Sequence, residues 1–209
     1  LEAWGLGVVV ANHNDPSQVV LSGAVAAVDE VERRLAAEGI EARRLSVATA
    51  FHSPIVAGAA REFASFLDQV EVGAPSVPVY ANGTAAPYPM DSREIRRQLG
   101  GQLAEPVRFV EMVERMYADG VRTFVEVGPG SVLTGLVERI LEGRPFLALA
   151  TERRGKDGVV TLQATLARLF VQGMAVDFAA LFDGHEPAVD PATVPAPKMA
   201  VSMNGGNLS

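Results

Sequence analysis

The sequence contains no cysteine, only three histidines and a single tryptophan. Disulfide scaffolds, thiolate metal sites, redox pairs and a cysteine nucleophile are therefore excluded, and any covalent chemistry must use another group. Basic residues are outnumbered, 18 Lys and Arg against 25 Asp and Glu, giving a net charge of −7. The deficit is even along the chain: residues 1–100 hold 8 basic and 12 acidic side chains, and residues 101–209 hold 10 and 13. Nucleic acid is thus not an expected partner, because displacing counterions from phosphates takes a dense basic face. Long hydrophobic runs are missing as well. The stretch Gly7 to Ala11 falls far short of the roughly 20 residues that span a bilayer, so no membrane partner is expected. The opening Leu1-Glu2-Ala3-Trp4-Gly5 has neither the basic region of a secretion signal nor an initiator Met, and the expectation is a cytoplasmic chain cut from something longer. The remainder is ordinary for a globular protein: 48% of 209 residues are hydrophobic, enough for one large domain or two small ones.

Residues 7–47 alternate β-branched runs with one helix. Val8 to Val10 and Val19 to Leu21 read as an antiparallel strand pair, with Asn12-His13-Asn14-Asp15-Pro16-Ser17 as the turn between them. Val28, Val31 and Leu35 recur at helical spacing within 24–37, Gly39 stands at the C-cap, and Arg43 to Val47 is expected to form a third strand. These elements, entered from the tail of another helix at residues 1–4, predict an incomplete α+β unit whose remainder lies upstream of Leu1. Beyond Pro54 the pattern predicts helices at 55–70, 92–103, 107–119, 131–142 and 159–172, and strands at 77–81, 122–127 and 146–150. Strands separated by helices argue for an α/β fold with a mostly parallel sheet. The tail after Gly184, with Pro187, Pro191, Pro195 and Pro197, reads as linker.

Four segments could carry chemistry. His52, in Ala50-Phe51-His52-Ser53-Pro54, sits between a strand end and a helix start, where a neutral imidazole can act as general base. Packing against Phe51, or capping of the next helix, explains the same histidine without catalysis. His13, in a polar turn, and His185, beside the linker, have weaker claims, and the scattered histidines show no metal-ligand spacing, so no metal is expected. Glu126-Val127-Gly128-Pro129-Gly130-Ser131 can aim N–H groups at an anion, but it lacks the phosphate-loop spacings and reads first as a tight turn with Ser131 as N-cap. Gln102, before Pro106, is placed to leave its carbonyl free of intrahelical partners and able to orient a neighbour; Asn82-Gly83 reads as a turn. No G-x-S-x-G nucleophile elbow is present.

In this order and spacing the segments resemble the acyltransferase domain of polyketide and fatty-acid synthases, the malonyl-CoA:acyl-carrier-protein transacylase family. Asn12 to Pro16 with Gln18 to Gly23 is similar to the family's hairpin, Ala50 to Pro54 to its catalytic-histidine motif, Gln102 to Phe109 to its Q-L-x-x-P-V segment, and Val125 to Gly130 with Leu133 to its E-V-G-P-G motif. The similarity covers about residues 7–150, and Leu166 to Phe182 resembles the segment that follows this domain in multidomain synthases. The resemblance implies a hydrolase-like large subdomain plus part of a ferredoxin-like small one. The expected division is 1–47 in the small subdomain, 48–150 in the large one, 151–184 as post-acyltransferase segment and 185–209 as linker.

The resemblance further implies a ping-pong Ser-His mechanism that loads malonyl from malonyl-CoA onto the phosphopantetheine thiol of an acyl carrier protein. His52 would be the base and the main-chain carbonyl of Gln102 its orienting acceptor, while the serine, the malonyl-gripping arginine and the oxyanion donor belong to the family's N-terminal half. Ser53 and Ser131 match other motifs, so this chain alone is expected to be inactive. No cofactor is expected to be bound covalently; partners would be the carrier protein, malonyl-CoA, the rest of the domain and adjacent synthase domains. Ala50 and Phe51 fall at the specificity position, where a Phe goes with malonyl because its ring fills the space of an α-methyl group. Thr49 stands where many malonyl-type relatives differ, and Asn14 and Asn82 fall in cleft-edge segments but read first as structural turn residues. Two other classes stay open from the residues themselves: a non-catalytic docking or scaffold piece of a synthase, and a nucleotide-binding protein using Gly128 to Ser131. The basic residues Arg43, Arg44, Arg153, Arg154 and Lys156 fit either anionic contacts or a solvated surface.

Overall fold

A computed structural model describes residues 5–46, 50–184, 189 and 193. The expected helix tail at 1–4, Val47, Thr49, His185 and nearly all of the linker lie outside the described residues.

The chain opens with the expected antiparallel hairpin, β1 (Val9–Asp15) against β2 (Gln18–Ser22). The turn is shorter than the Asn- and Pro-rich run suggests: Asn12, His13 and Asn14 belong to the strand, and only Pro16 and Ser17 reverse the chain. The Asp15 carboxylate explains this, because it accepts the Ser17 N–H and Oγ–H, each at 2.8 Å, and closes the turn locally. The irregular pairing of β1 with β2, shifted between Val10 and Asn12 and between His13 and Asp15, absorbs the extra residues. The other edge of β1 pairs in parallel with β5 (Val107–Arg108), Asn12 opposite Val107 and His13 opposite Arg108.

Helix α1 (Val25–Ala37) buries Val31 and ends at Gly39, whose φ of +72° suits a residue without a Cβ. The expected strand after it is absent: residues 43–46 have no ladder partner. Instead the Arg44 guanidinium donates to Asp29 and Glu32 of α1, tying the segment to the helix by charge. Pro54 opens a 3-10 turn that leads into α2 (Ala57–Leu67). The short strands β3 (Tyr80–Ala81) and β4 (Ala86–Pro87) form an antiparallel pair around the Asn82-Gly83 turn.

Helix α3 (Ser92–Gly101) is capped by Asp91, which accepts the Glu94 N–H at 2.8 Å, and packs on α2. Buried Gly100 faces Ala64 there so closely that a Cβ would stand 2.7 Å from the Ala64 Cβ. Contrary to the expected proline-initiated helix, Pro106 precedes β5, and α4 (Phe109–Ala118) starts only after it. The free edge of β1 accounts for the difference by offering residues 107 and 108 a ladder. A parallel unit follows, β6 (Thr123–Glu126), α5 (Val132–Ile140) and β7 (Leu147–Ala150), with Thr123 opposite Leu147 and Glu126 opposite Ala150. Its core comprises Val113, Val137, Ile140, Leu141 and Ala148, with Phe109, Tyr117, Phe124 and Phe146 packed against it. Burial of a side chain such as Leu141 contributes about 1.5–3 kcal/mol.

An ion pair between a buried carboxylate and a half-exposed guanidinium joins the hairpin to this unit. Arg139 of α5 donates from Nε to Asp15 at 2.7 Å, across 124 positions of sequence. Burial pushes the Asp15 carboxyl up, but the bonds from Arg139 and Ser17 outweigh it and hold the group below its ordinary value. Among the described residues the last α-helix is α6 (Gly158–Val171), and the chain divides into two compact units, residues 1–165 and 166–209. In the first, Thr165 donates to the Ala150 carbonyl at 2.8 Å; in the second, Phe170 and Phe178 meet edge to face at 5.5 Å. Among the described residues no helix is long and apolar enough to cross a membrane.

Candidate active site

His52 is held in a conformation that its own chemistry does not favour. Its φ of +56° is left-handed, a state that costs a non-glycine residue about 1–3 kcal/mol and persists only where the surroundings enforce it. Enforcement comes from both sides. The His52 N–H donates to the Leu103 carbonyl at 3.0 Å. Just after it, Ser53 is 2% exposed, donates from Oγ to the Ala50 carbonyl at 2.6 Å and accepts the Ile55 N–H at 3.3 Å. Ser53, and not His52, is therefore the cap of the following turn.

The imidazole faces the end of α3. Its Nδ1 lies 3.2 Å from the Gln102 main-chain oxygen and 2.9 Å from that of Glu105. Neither carbonyl can donate, so Nδ1 must carry the proton, and in the neutral ring Nε2 is left with the basic lone pair. The Gln102 carbonyl is available because this residue is the C-cap of α3 and the helix stops there. Its side chain is pinned too, with Oε1 accepting the Gly83 N–H at 3.2 Å; Nε2 of Gln102 is buried with no hydrogen-bond partner among the described residues. The Asn82-Gly83 turn is thereby attached to the histidine's acceptor. The Asn82 carbonyl takes the Arg108 N–H at 3.1 Å, which links the same turn to β5.

The structure thus brings His52, Gln102 and the Asn82-Gly83 turn together. Ala50 and Phe51 adjoin the histidine in sequence, and Phe51 is 53% exposed. Asn14 lies on β1, where its amide donates to Gln18 at 3.3 Å within the hairpin. His13 is engaged elsewhere, with Nδ1 3.3 Å from Glu111 of α4. Leu103 and Glu105 were not evident as contacts of the histidine, although Pro106 signals a restricted backbone at Glu105.

The glycine-rich turn after β6 already has its anion. Ser131 makes no capping bond; the Glu126 carboxylate instead accepts the N–H groups of Leu133 and Thr134 at 3.2 and 2.7 Å, and the Thr134 hydroxyl at 2.7 Å. Burial pushes the Glu126 carboxyl up, yet these donors prevail and hold it below its ordinary value. With an internal carboxylate on the helix N-terminus, the turn is a structural cap, which removes the basis for the nucleotide-binding class.

The model of the acyl transferase domain family matches residues 2–176. This chain belongs to that family. The acyltransferase chain is 37% identical over 181 residues to a phenolphthiocerol synthesis polyketide synthase type I of Mycobacterium marinum, covering 85% of this chain and 8% of that protein. It is 38% identical over 135 residues to the malonyl CoA-acyl carrier protein transacylase of Bacillus subtilis, covering 64% of this chain and 42% of that protein. The crystal structure of the acyltransferase domain from the second module of the salinomycin polyketide synthase superposes with a TM-score of 0.75 at 32% identity, covering 90% of this acyltransferase chain and 45% of that one. The chain therefore spans less than half the length of each of these relatives. The expected α/β class, helices packed against short strand pairs, is that of the acyltransferase domains.

Proposed function

We propose that this chain supplies the general base of a malonyl-transferring acyltransferase, with His52 as base and Gln102 as its orienting residue. The observation that carries the reading is the placement of His52 Nδ1 against main-chain carbonyls, which leaves Nε2 as the proton acceptor. A main-chain carbonyl orients the ring without burying a second charge beside it. The nucleophile is a serine outside these 209 residues. Ser53 is ruled out by its own bonds, since its hydroxyl is buried and donates to Ala50.

The reaction then runs in two halves. Nε2 takes the proton of the serine hydroxyl as its oxygen attacks the malonyl thioester; the C–S bond breaks, CoA leaves as the thiol with that proton, and a malonyl ester remains on the enzyme. In the second half Nε2 takes the proton of the carrier's phosphopantetheine thiol, sulfur attacks the ester, and the proton returns to the serine oxygen. Malonyl-CoA and the carrier protein are the partners named for the Bacillus subtilis transacylase to which this chain is similar. Phe51 favours malonyl over methylmalonyl by filling the volume of the α-methyl group. Residues 1–47 are read as part of the small subdomain, 48–150 as part of the large one, 151–184 as the segment after it and 185–209 as linker.

The test is malonyl transfer to a phosphopantetheinylated carrier by the acyltransferase polypeptide that carries this chain. His52→Ala is expected to lower kcat roughly 100- to 10,000-fold with the fold intact by circular dichroism. A folded His52→Ala enzyme that transfers malonyl at the parent rate would refute the assignment.

A further inference from the structure

We propose that His52 is set by two carbonyls and not one, and that the Glu105-Pro106 pair is a positioning element for the base; this rests on the catalytic reading of His52. The Glu105 oxygen is the nearer acceptor, 2.9 Å from Nδ1 against 3.2 Å for Gln102. One acceptor alone leaves the ring free to swing about the N–H···O axis. Two acceptors three residues apart, together with the His52 N–H on Leu103, confine both the ring and its backbone to one side of the loop.

The two carbonyls are held by different means. Gln102 ends α3, so its oxygen sits at the partially negative pole of a helix. Glu105 precedes a proline, and the ring of Pro106 disfavours the helical region for it and narrows its ψ. On its other side the Glu105 N–H donates to the Gly101 carbonyl at 3.1 Å. With its N–H bonded and its ψ restricted, the direction of the Glu105 oxygen is fixed before any substrate arrives. The acceptor belongs to the Glu105 main chain, while its carboxylate packs against Gly83 and Gly101. Pro106 supplies the backbone restriction, and its replacement by Ala lifts that restriction while adding one N–H beside β5.

The experiment uses the acyltransferase polypeptide carrying this chain. In the parent enzyme labelled with 13C at the main-chain carbonyls of Gln102 and Glu105, both resonances are expected to move as the imidazole is protonated. A Glu105 resonance that stays still while that of Gln102 moves would overturn the proposal without requiring any variant to fold. Pro106→Ala is expected to lower kcat about tenfold with KM for malonyl-CoA within twofold, and 15N shifts are expected to read one Nδ1–H tautomer in the parent and a mixture in the variant. A Pro106→Ala enzyme with parent kcat and a single tautomer would also overturn it. The carbonyl and tautomer readouts do not depend on turnover, so an active His52→Ala enzyme would refute the catalytic reading while leaving the two-carbonyl geometry standing.

Discussion

Gly100 of α3 and Ala64 of α2 touch so closely that a methyl group at position 100 would stand 2.7 Å from the Ala64 Cβ and 3.0 Å from its Cα. These helices position the two halves of the candidate site, since α2 follows His52 and α3 ends at Gln102. Gly100→Ala is therefore expected to destabilise the protein by about 1–3 kcal/mol in urea unfolding, because the neighbour is a helix backbone that cannot simply rotate away. Ala64→Gly should recover part of that loss in the double variant, and additive effects would show that the two residues do not share the contact.

Loss of the Glu126 carboxylate removes three hydrogen-bond acceptances at once. Glu126→Ala is expected to cost about 1–2 kcal/mol, the upper range for a helix cap, whereas Ser131→Ala should cost less than about 0.5 kcal/mol. Thermal unfolding of the two variants side by side checks the order. Equal losses would restore Ser131 as the cap.

Asp15 and Glu126 also make a prediction about acid. Both carboxyls lie below their ordinary values of 3.8 and 4.5, so the folded state binds fewer protons than the unfolded chain as these values are approached. Their contribution is present in full above about pH 5 and is lost as pH falls through the folded values. Urea midpoints measured between pH 6 and 3 should therefore decline, and Asp15→Asn should flatten the decline while lowering the midpoint at pH 6.

At Phe51 the expected effect is on substrate choice and not on rate alone. Phe51→Ser should shift the ratio of kcat/KM for methylmalonyl over malonyl upward by roughly 10- to 100-fold, corresponding to the ~1–3 kcal/mol that one methyl group is worth in a pocket. Competition between the two CoA thioesters reads it directly. An unchanged ratio would remove Phe51 from the specificity argument.

The helices, the hairpin and the βαβ unit were legible because their signals are local: Val31 of α1 is buried where its helical spacing places it. Residues 43–46 misled because local sequence says nothing about whether a partner strand exists, and here Arg44 bonds α1 instead. The start of α4 shifted for a related reason, since β1 pairs with residues some 95 positions away, whereas the hairpin turn is shorter because Asp15 closes it locally. Histidine and glutamine were recognisable as a pair through their motifs. The Glu105 carbonyl was not, because a main-chain acceptor leaves no mark on residue type, and only the following proline hints at it. The Glu126 cap was hidden by a better-looking serine five positions later.

Mapping the malonyl-enzyme formed from malonyl-CoA tests the division of labour most directly. The acyltransferase polypeptide carrying this chain is quenched within one turnover, digested and read by mass spectrometry, for the parent and for His52→Ala. The expected result is a malonyl ester on a serine outside residues 1–209, formed at least about 100-fold more slowly in the variant. A malonyl ester on Ser53, Ser131 or any other residue of this chain, or a burst unaffected by His52→Ala, would contradict it.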